Sequence, residues 1–254
     1  MHHPPSVPGR FAHLDALRGA AVLWMTVFHF CFDLNQFHFI QADFYRDPLW
    51  LWQRTCILSL FLLCAGMGQA IAVHAGQSWR QFGRRWLQIA GCAVLVSAGS
   101  ATMFPNSWIY FGVLHGMAVM LVLCRLTAHW GRWLWLVGAL PIALDALMPT
   151  LHATFPAMAV MDAKALSWLG LVSRKPFTED FVPLLPWMGA MWWGMALGQW
   201  GLARGWLRWR APSQGLQAAV LPRLAWIGRW SLSWYMLHQP LLIGLLTAWV
   251  ALLR

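Results

Sequence analysis

The stretch that decides the fold runs over residues 14–33 and reads Leu14-Asp15-Ala16-Leu17-Arg18-Gly19-Ala20-Ala21-Val22-Leu23-Trp24-Met25-Thr26-Val27-Phe28-His29-Phe30-Cys31-Phe32-Asp33. Ten apolar or small residues separate Arg18 from His29, and Asp33 follows one helical turn later. Because a bilayer core needs about 20 mostly apolar residues, this run predicts a membrane-spanning helix over 16–37. Ionisable groups inside such a helix are costly to bury, so Arg18, His29 and Asp33 are candidates for function.

The spacing within this helix suggests different roles for Arg18, His29 and Asp33. At about 1.5 Å of rise per residue, Arg18 and His29 lie roughly 16 Å apart, so Arg18 is near one face of the bilayer and His29 is deep. His29 and Asp33 are spaced i, i+4 and share one side of the helix, which predicts a histidine base oriented by a carboxylate. The alternative is that Asp33 only marks the end of the span and that His29 packs against a neighbouring helix.

Composition places the whole chain in the membrane. Hydrophobic residues make up 59% of the sequence and charged residues 10%, against about 25% charged in soluble proteins. We therefore predict an all-α, polytopic helical bundle, and we expect a single membrane-embedded domain over 1–254 because no polar block is long enough to fold separately. The five cysteines lie in apolar segments without zinc or disulfide spacing, so no metal is expected.

The charges predict topology rather than nucleic-acid binding. Seven spans are predicted, at 16–37, 50–73, 85–104, 108–126, 132–149, 183–201 and 231–253. With the amino terminus inside, twelve of the 18 Lys and Arg residues are cytoplasmic and six are outside. The positive-inside rule therefore favours an N-in, C-out chain. A dip of 166–172 into the bilayer would give eight spans and move the carboxyl terminus inside.

Three connections between spans differ in character. The turn at 77–86 is basic and aromatic, and its Arg84 and Arg85 either bind the phosphates of a cofactor or serve only topology and lipid headgroups. The basic connection at 201–230 has the same ambiguity. The outer connection at about 150–182 is the longest and ends near Asp180; such loops are where an acceptor is often recognised.

Two further histidines fall inside predicted spans. His115 lies in the fourth, where a lone histidine is more often a helix–helix hydrogen-bonding residue than a catalyst. His238 lies in the seventh, with Tyr235 and Gln239 close by and a proline next that loosens the helix. Both are expected to reach the depth of His29, and His238 is predicted to line a site.

These residues belong to five sequence blocks that occur in a recognisable order. The blocks are Arg10 and Leu14-Asp15-Ala16-Leu17-Arg18-Gly19 with Met25 and His29-x3-Asp33; Leu60-Phe61-Leu62 to Gly66; Val113-Leu114-His115-Gly116-Met117-Ala118; Pro183-Leu184-Leu185-Pro186-Trp187-Met188-Gly189; and Gly228-Arg229, Ser231-Leu232, Tyr235 and His238-Gln239-Pro240. Together they resemble the bacterial members of the heparan-α-glucosaminide N-acetyltransferase catalytic-domain family over almost the whole chain. The Arg18-x10-His29 spacing is also similar to that of the acyltransferase type 3 proteins.

The resemblance implies an enzyme of the bacterial inner membrane. It implies transfer of an acetyl group from cytoplasmic acetyl-CoA to a sugar amine or hydroxyl on the periplasmic side, inside a helical bundle. By motif, the family's intramembrane arginine and histidine carry over to Arg18 and His29, and its carboxy-terminal histidine block to His238. The expected partners are membrane lipid and a carbohydrate or glycan acceptor, without nucleic acid, and a homodimer is left open.

Acyl transfer needs a base for the acceptor's proton and hydrogen-bond donors for the developing oxyanion. His29 steadied by Asp33 is the predicted base or a transient acyl carrier, and these two routes stay open. The residues predicted to contact substrate or oxyanion are His238, His115, Tyr235, Gln239 and Asp180. No P-loop or dinucleotide motif is present, so CoA would be held by basic residues such as Arg18, Arg84 and Arg85.

A non-enzymatic reading competes with this one. A small transporter or a haem-carrying electron-transfer protein would also place histidines in the membrane, as proton relays or as iron ligands. Arg18 and Asp33 have no obvious part in that reading.

Overall fold

The computed structural model describes residues 11–205 and 216–252. In these two ranges the chain forms eight α-helices and three short 3-10 helices, and it contains no β-strand. The helices are α1 (Ala12–Gln36), α2 (Pro48–His74), α3 (Trp79–Met103), α4 (Val113–Leu126), α5 (Trp133–Thr154), α6 (Leu184–Ala203), α7 (Leu216–Arg229) and α8 (Ser231–Leu252). The all-α prediction is confirmed. Four of the arginines counted in the topology argument lie outside the described residues, namely Arg10, Arg208, Arg210 and Arg254.

Several of these helices can cross a membrane. Five are long and apolar enough, namely α1, α2, α3, α5 and α8, and α4 is a shorter apolar helix. Helix α6 covers the predicted sixth span, with a non-helical backbone at Leu185, and it is not among the five. The protein is therefore a multi-pass membrane protein, while the count of seven spans and the N-in, C-out orientation stay predictions.

Several predicted boundaries are wrong. Helix α3 begins at Trp79, six residues before the predicted span, because Ser78 and Gln81 form a capping box there, so most of the predicted turn at 77–86 is helical. Helix α4 begins at Val113, five residues later than predicted, because the preceding segment is extended and hydrogen-bonded to residues 178–182. Helix α5 continues to Thr154 through Pro141 and Pro149. Packing against neighbouring helices allows a membrane helix to tolerate proline, and Pro141 is buried. The basic connection at 201–230 contains a helix, α7.

The chain divides into two compact units. The first, Met1–Phe61 with Gly205–Arg254, contains α1, the start of α2, α7 and α8. Helices α1 and α7 pack closely because glycines lie at their contact. A Cβ atom at Gly19 would collide with the carbonyl of Leu224, and one at Gly228 would collide with the carbonyl of Asp15.

Aromatic packing completes the first unit. Met25, Phe28, Phe44 and Ile57 form a buried cluster, in which the rings of Phe28 and Phe44 meet edge to face at 5.7 Å. This cluster packs against Tyr235 of α8. The aromatic residues of α1 therefore contribute to the packing of α8 against α1.

The second unit, Leu62–Arg204, contains the rest of α2 and helices α3 to α6. Its two longest connections between helices are bonded to each other. Ser107 accepts a hydrogen bond from the backbone N–H of Glu179 at 2.8 Å, and Phe111 accepts one from Val182 at 3.0 Å. Asp180 accepts a hydrogen bond from the N–H of Val113 at 2.8 Å and so caps the start of α4.

Candidate functional site

Five of the predicted site residues meet in the first unit, where α1 and α8 lie side by side. Helix α1 contributes His29 and Asp33, and α8 contributes Tyr235, His238 and Gln239. They are held together although about two hundred residues separate the two helices in the sequence. We call this group the α1–α8 cluster.

A hydrogen bond sets the register of the two helices. Trp234 Nε1 donates to Thr26 Oγ1 at 2.8 Å, and that hydroxyl donates to the carbonyl of Val22 at 2.8 Å. One turn further along both helices, His29 meets His238, and Asp33 meets Gln239 beyond them. Residue numbers rise together along the contact, so α1 and α8 run parallel. Parallel first and last helices are consistent with an odd number of spans.

The hydrogen bonds of His238 define which of its nitrogens carries the proton. Nδ1 lies 2.8 Å from the carbonyl oxygen of Tyr235 and 3.2 Å from that of Trp234. A carbonyl oxygen only accepts, so Nδ1 bears the hydrogen and Nε2 of the neutral ring carries the lone pair. Nε2 is buried and has no hydrogen-bond partner among the described residues. His238 is thus held as a base whose accepting nitrogen is available inside the protein.

His29 lies directly beside His238. Their ring centroids are 5.0 Å apart and their planes are inclined by 67°. The two imidazole rings are therefore in direct contact, the edge of one ring against the face of the other. Phe28 also contacts His29 edge to face, with ring centroids 5.8 Å apart.

Asp33 is oriented by α8 and not by its own helix. Its Oδ1 accepts a hydrogen bond from Gln239 Nε2 at 2.6 Å, and its Oδ2 has no hydrogen-bond partner in the described parts of the chain. The predicted hydrogen bond between Asp33 and His29 is therefore wrong. The i, i+4 spacing allowed it, but the amide of Gln239 approaches the same carboxylate from the neighbouring helix.

The cluster has more acceptors than donors. Asp33 Oδ2, His238 Nε2 and Gln239 Oε1 are all buried, and none has a hydrogen-bond partner within the described ranges. The amide assignment of Gln239 follows from its bond to a carboxylate, which requires the NH2 group on that side. Because unpaired buried acceptors are unfavourable, the arrangement suits a molecule that brings N–H or O–H groups.

Tyr235 stands next to these residues. Its ring centroid is 5.9 Å from that of His238, and its backbone carbonyl accepts the hydrogen bond that fixes the histidine ring. Its contribution through the backbone is therefore to position His238.

His115 bonds to neighbouring segments of the second unit. It lies in the first turn of α4, where Nδ1 accepts a hydrogen bond from the N–H of Gly112 at 3.3 Å and Nε2 lies 3.0 Å from Ser97 Oγ. Ser97 uses its single hydrogen on the carbonyl of Ile109 at 2.7 Å, so it accepts from His115. Both ring nitrogens are engaged, which agrees with the helix–helix hydrogen-bonding interpretation. The prediction of a mid-span position is wrong, since α4 begins only two residues earlier.

The other predicted residues are not members of the α1–α8 cluster. Asp180 caps α4 in the second unit. Arg84 and Arg85 are exposed on α3 in the same unit. In the first unit, Arg18 Nη1 lies 3.3 Å from Oδ1 of the buried Asp15. This ion pair was not predicted, although its i, i+3 spacing was a signal for it.

Comparison with known proteins identifies one family. A family model described as heparan-alpha-glucosaminide N-acetyltransferase, catalytic, matches residues 10–240 of the chain. The match covers every residue of the α1–α8 cluster. Searches of the curated proteins and of the solved structures returned no match.

Proposed function

The chain belongs to the heparan-alpha-glucosaminide N-acetyltransferase catalytic family, and from this premise we propose that it moves an acetyl group from cytoplasmic acetyl-CoA to an amine or hydroxyl of a sugar on the periplasmic side of the bacterial inner membrane. Membership makes the protein a membrane acyltransferase. The donor, the acceptor, the compartment and the roles of individual residues are the proposal.

The observation that carries the proposal is the state of His238. Its Nδ1–H is held by the carbonyl of Tyr235, and its buried Nε2 has no partner within the described residues. In the proposed step, Nε2 takes the proton of the acceptor's N–H or O–H while the acceptor atom attacks the thioester carbon. The tetrahedral intermediate then breaks its C–S bond, and the leaving thiolate of CoA takes the proton from Nε2.

The neighbouring groups fit an acceptor that brings hydrogen-bond donors. Asp33 Oδ2 and Gln239 Oε1 are the other buried acceptors of the cluster without a partner in the described residues, and they suit the remaining hydrogens of an amine or neighbouring hydroxyls. In the proposal, His29 shares the proton with His238 or carries the acetyl group transiently, and the contact between the two rings supports this role. Both routes remain part of the proposal.

Basic residues are proposed to bind the donor. CoA carries several phosphate charges, and exposed guanidinium groups such as those of Arg84 and Arg85 bind phosphate by charge-assisted hydrogen bonds. Arg18 is included by family resemblance, although its pairing with Asp15 partly compensates its charge.

The test is acetyl transfer by the purified full-length chain in lipid nanodiscs. Radiolabelled acetyl-CoA is offered with glucosamine or with glucose, and labelled product and free CoA are both measured. His238→Asn keeps a donor for the Tyr235 carbonyl but cannot accept a proton, so we expect kcat to fall by about 10²- to 10⁴-fold. The matched control is His74→Asn on the exposed end of α2, which should transfer acetyl normally. Transfer by a folded His238→Asn variant at the wild-type rate would remove His238 from the mechanism, and CoA release without sugar acetylation would contradict the acceptor class.

A further inference from the structure

A second site lies in the second unit, where the connection from α3 to α4 meets the connection from α5 to α6. It is a cavity of about 220 Å³ that is lined, beside Pro176, by residues with aromatic, charged or amide side chains. These are Asn106, Trp108, Tyr110, Asp162, Lys164 and Phe177. None of them belongs to the α1–α8 cluster.

Two aromatic rings form one wall. Trp108 and Tyr110 are two residues apart in an extended segment, so their side chains point to the same face. Their ring centroids are 6.0 Å apart, and the planes are inclined by 68°. The rings are held in place before any ligand arrives, because Thr178 Oγ1 donates to the carbonyl of Trp108 at 2.8 Å and the Tyr110 hydroxyl bonds to buried Ser167 at 2.9 Å.

Opposite charges face these rings. The ammonium of Lys164 lies 4.4 Å from the centroid of Trp108 and 4.8 Å from that of Tyr110. Asp162 accepts hydrogen bonds from the backbone N–H of Ser173 at 2.7 Å and from its hydroxyl at 2.9 Å. These bonds, the backbone one first, hold the pKa of Asp162 below its usual range, so the carboxylate is ionised at neutral pH.

We propose that this cavity binds one pyranose ring of a neutral saccharide. The faces of Trp108 and Tyr110 carry negative charge density and attract the C–H groups of a sugar ring. The ammonium, the carboxylate and the Asn106 amide supply donors and acceptors for its hydroxyls.

The charges argue against an ionic ligand. An anion or a cation would be attracted by one of these two groups and repelled by the other, so an ionic ligand gains no net attraction, whereas a neutral polyol bonds to both Asp162 and Lys164. The side chain of Lys164 is exposed and flexible, so its ammonium can leave the ring faces for a hydroxyl group. The volume is below the roughly 300–1,000 Å³ of sites for drug-sized ligands, which limits the cavity to about one ring.

In the predicted topology both connections lie on the outer side, where the proposed acceptor is found. The suggestion that this saccharide is the acceptor rests on the proposed function. Binding itself needs no acyl donor, so a failure of binding and a failure of acetyl transfer are separate results.

The experiment measures binding of cellotriose to the full-length chain by calorimetry and by saturation-transfer NMR. The protein is held in nanodiscs without glycolipid or sugar-based detergent, because a glucoside headgroup would compete. We expect saturable binding to the wild type, a loss of at least about tenfold in Trp108→Leu, and binding within about threefold of the wild type in Trp108→Phe, which keeps a ring.

A second variant tests the proposal without changing Trp108 or Tyr110. Phe177 is 83% exposed at the rim of the cavity, so Phe177→Ala should fold normally and weaken cellotriose binding, whereas Phe155→Ala, an equally simple truncation in the same connection, should not. Glucuronate and glucosamine should bind more weakly than glucose. No binding by the wild type, equal binding by the Phe177 and Phe155 variants, or tighter binding of either charged sugar would overturn the proposal.

Discussion

Gln239 of α8 donates a hydrogen bond of 2.6 Å to the carboxylate of Asp33 on α1, and 206 residues separate the two in the sequence. The bond joins the two helices beside the contact between His29 and His238. It also engages the carboxylate that the sequence spacing had assigned to His29. The orientation of this carboxylate is therefore a property of the helix pair.

The Asp33–Gln239 bond should appear as an energetic coupling. In a double-mutant cycle of Asp33→Ala and Gln239→Ala, we expect a coupling of about 1–2 kcal/mol in the free energy of unfolding, since each single variant leaves a buried polar partner behind. Unfolding in mixed micelles measures it. The control cycle pairs Asp33→Ala with Gln53→Ala, which removes the separate 3.2 Å bond to Trp24 and should add independently. Additive effects of Asp33 and Gln239 would contradict the coupling.

His29 should be required for acetyl transfer but not for insertion of the protein. We expect His29→Ala to lose activity while its thermal unfolding stays cooperative, because the ring contacts His238 and Phe28 without a hydrogen bond that the fold depends on. Rapid quenching with labelled acetyl-CoA and no acceptor separates the two routes. Label on the wild type but not on His29→Ala indicates an acetyl-histidine, and full activity of the variant would rule out both routes.

Neutralising Arg84 and Arg85 together should raise the KM for acetyl-CoA more than it lowers kcat. Contacts to the phosphates of CoA are made equally in the ground state and in the transition state, so their loss affects binding first. Steady-state kinetics at several salt concentrations measures both constants. The matched double variant is Arg46→Ala with Arg54→Ala, two exposed arginines of the first unit. An unchanged KM in the Arg84/Arg85 variant would make these two arginines a topology signal only.

The contact between α1 and α7 should not tolerate a methyl group. Gly228→Ala places a Cβ against the carbonyl of Asp15, so we expect a loss of about 1–3 kcal/mol in the free energy of unfolding. Gly244→Ala on α8 is the control, since no atom lies within 4 Å of its Cβ position. That variant should be neutral or more stable by about 0.5–1 kcal/mol, because alanine favours the helix. Equal stability of the two variants would contradict the close packing.

The topology can be read by labelling single cysteines in a cysteine-free background. Gln81 in the first turn of α3 should react only from the cytoplasmic side and Ala163 only from the outer side, because the arginine distribution places the α2–α3 turn inside. The same test at Gln214, which lies outside the described residues, should give a cytoplasmic label. An outer label at Gln81 would reverse the whole arrangement.

The helices were largely predictable from the sequence, and their ends were less so. Apolar runs of bilayer length predicted every helix except α7, whose basic sequence resembles a connection. The start of α4 could not be predicted, since 108–112 is as apolar as the helix that follows. It is extended because its backbone groups bond to residues 178–182, a pairing that no local pattern records.

Five members of the candidate site could be selected from the sequence, but their hydrogen bonds could not. His29, Asp33, His238 and Gln239 could be selected because polar groups are rare in apolar helices. The sequence did not predict which nitrogen of His238 is protonated, which group bonds to Asp33, or that His115 lies at the start of α4. Each depends on which hydrogen-bonding atom of another segment arrives at the side chain.

The sequence by itself determined that this chain is helical and lies in a membrane, because backbone groups in a bilayer must be satisfied within each segment and apolar residues must cover them. It also selected His29, Asp33 and His238 as ionisable residues inside apolar helices. Only the tertiary structure decided how those residues are paired. A buried polar atom bonds to whichever donor or acceptor the packing brings within about 3 Å, and that choice is made between segments far apart in the chain.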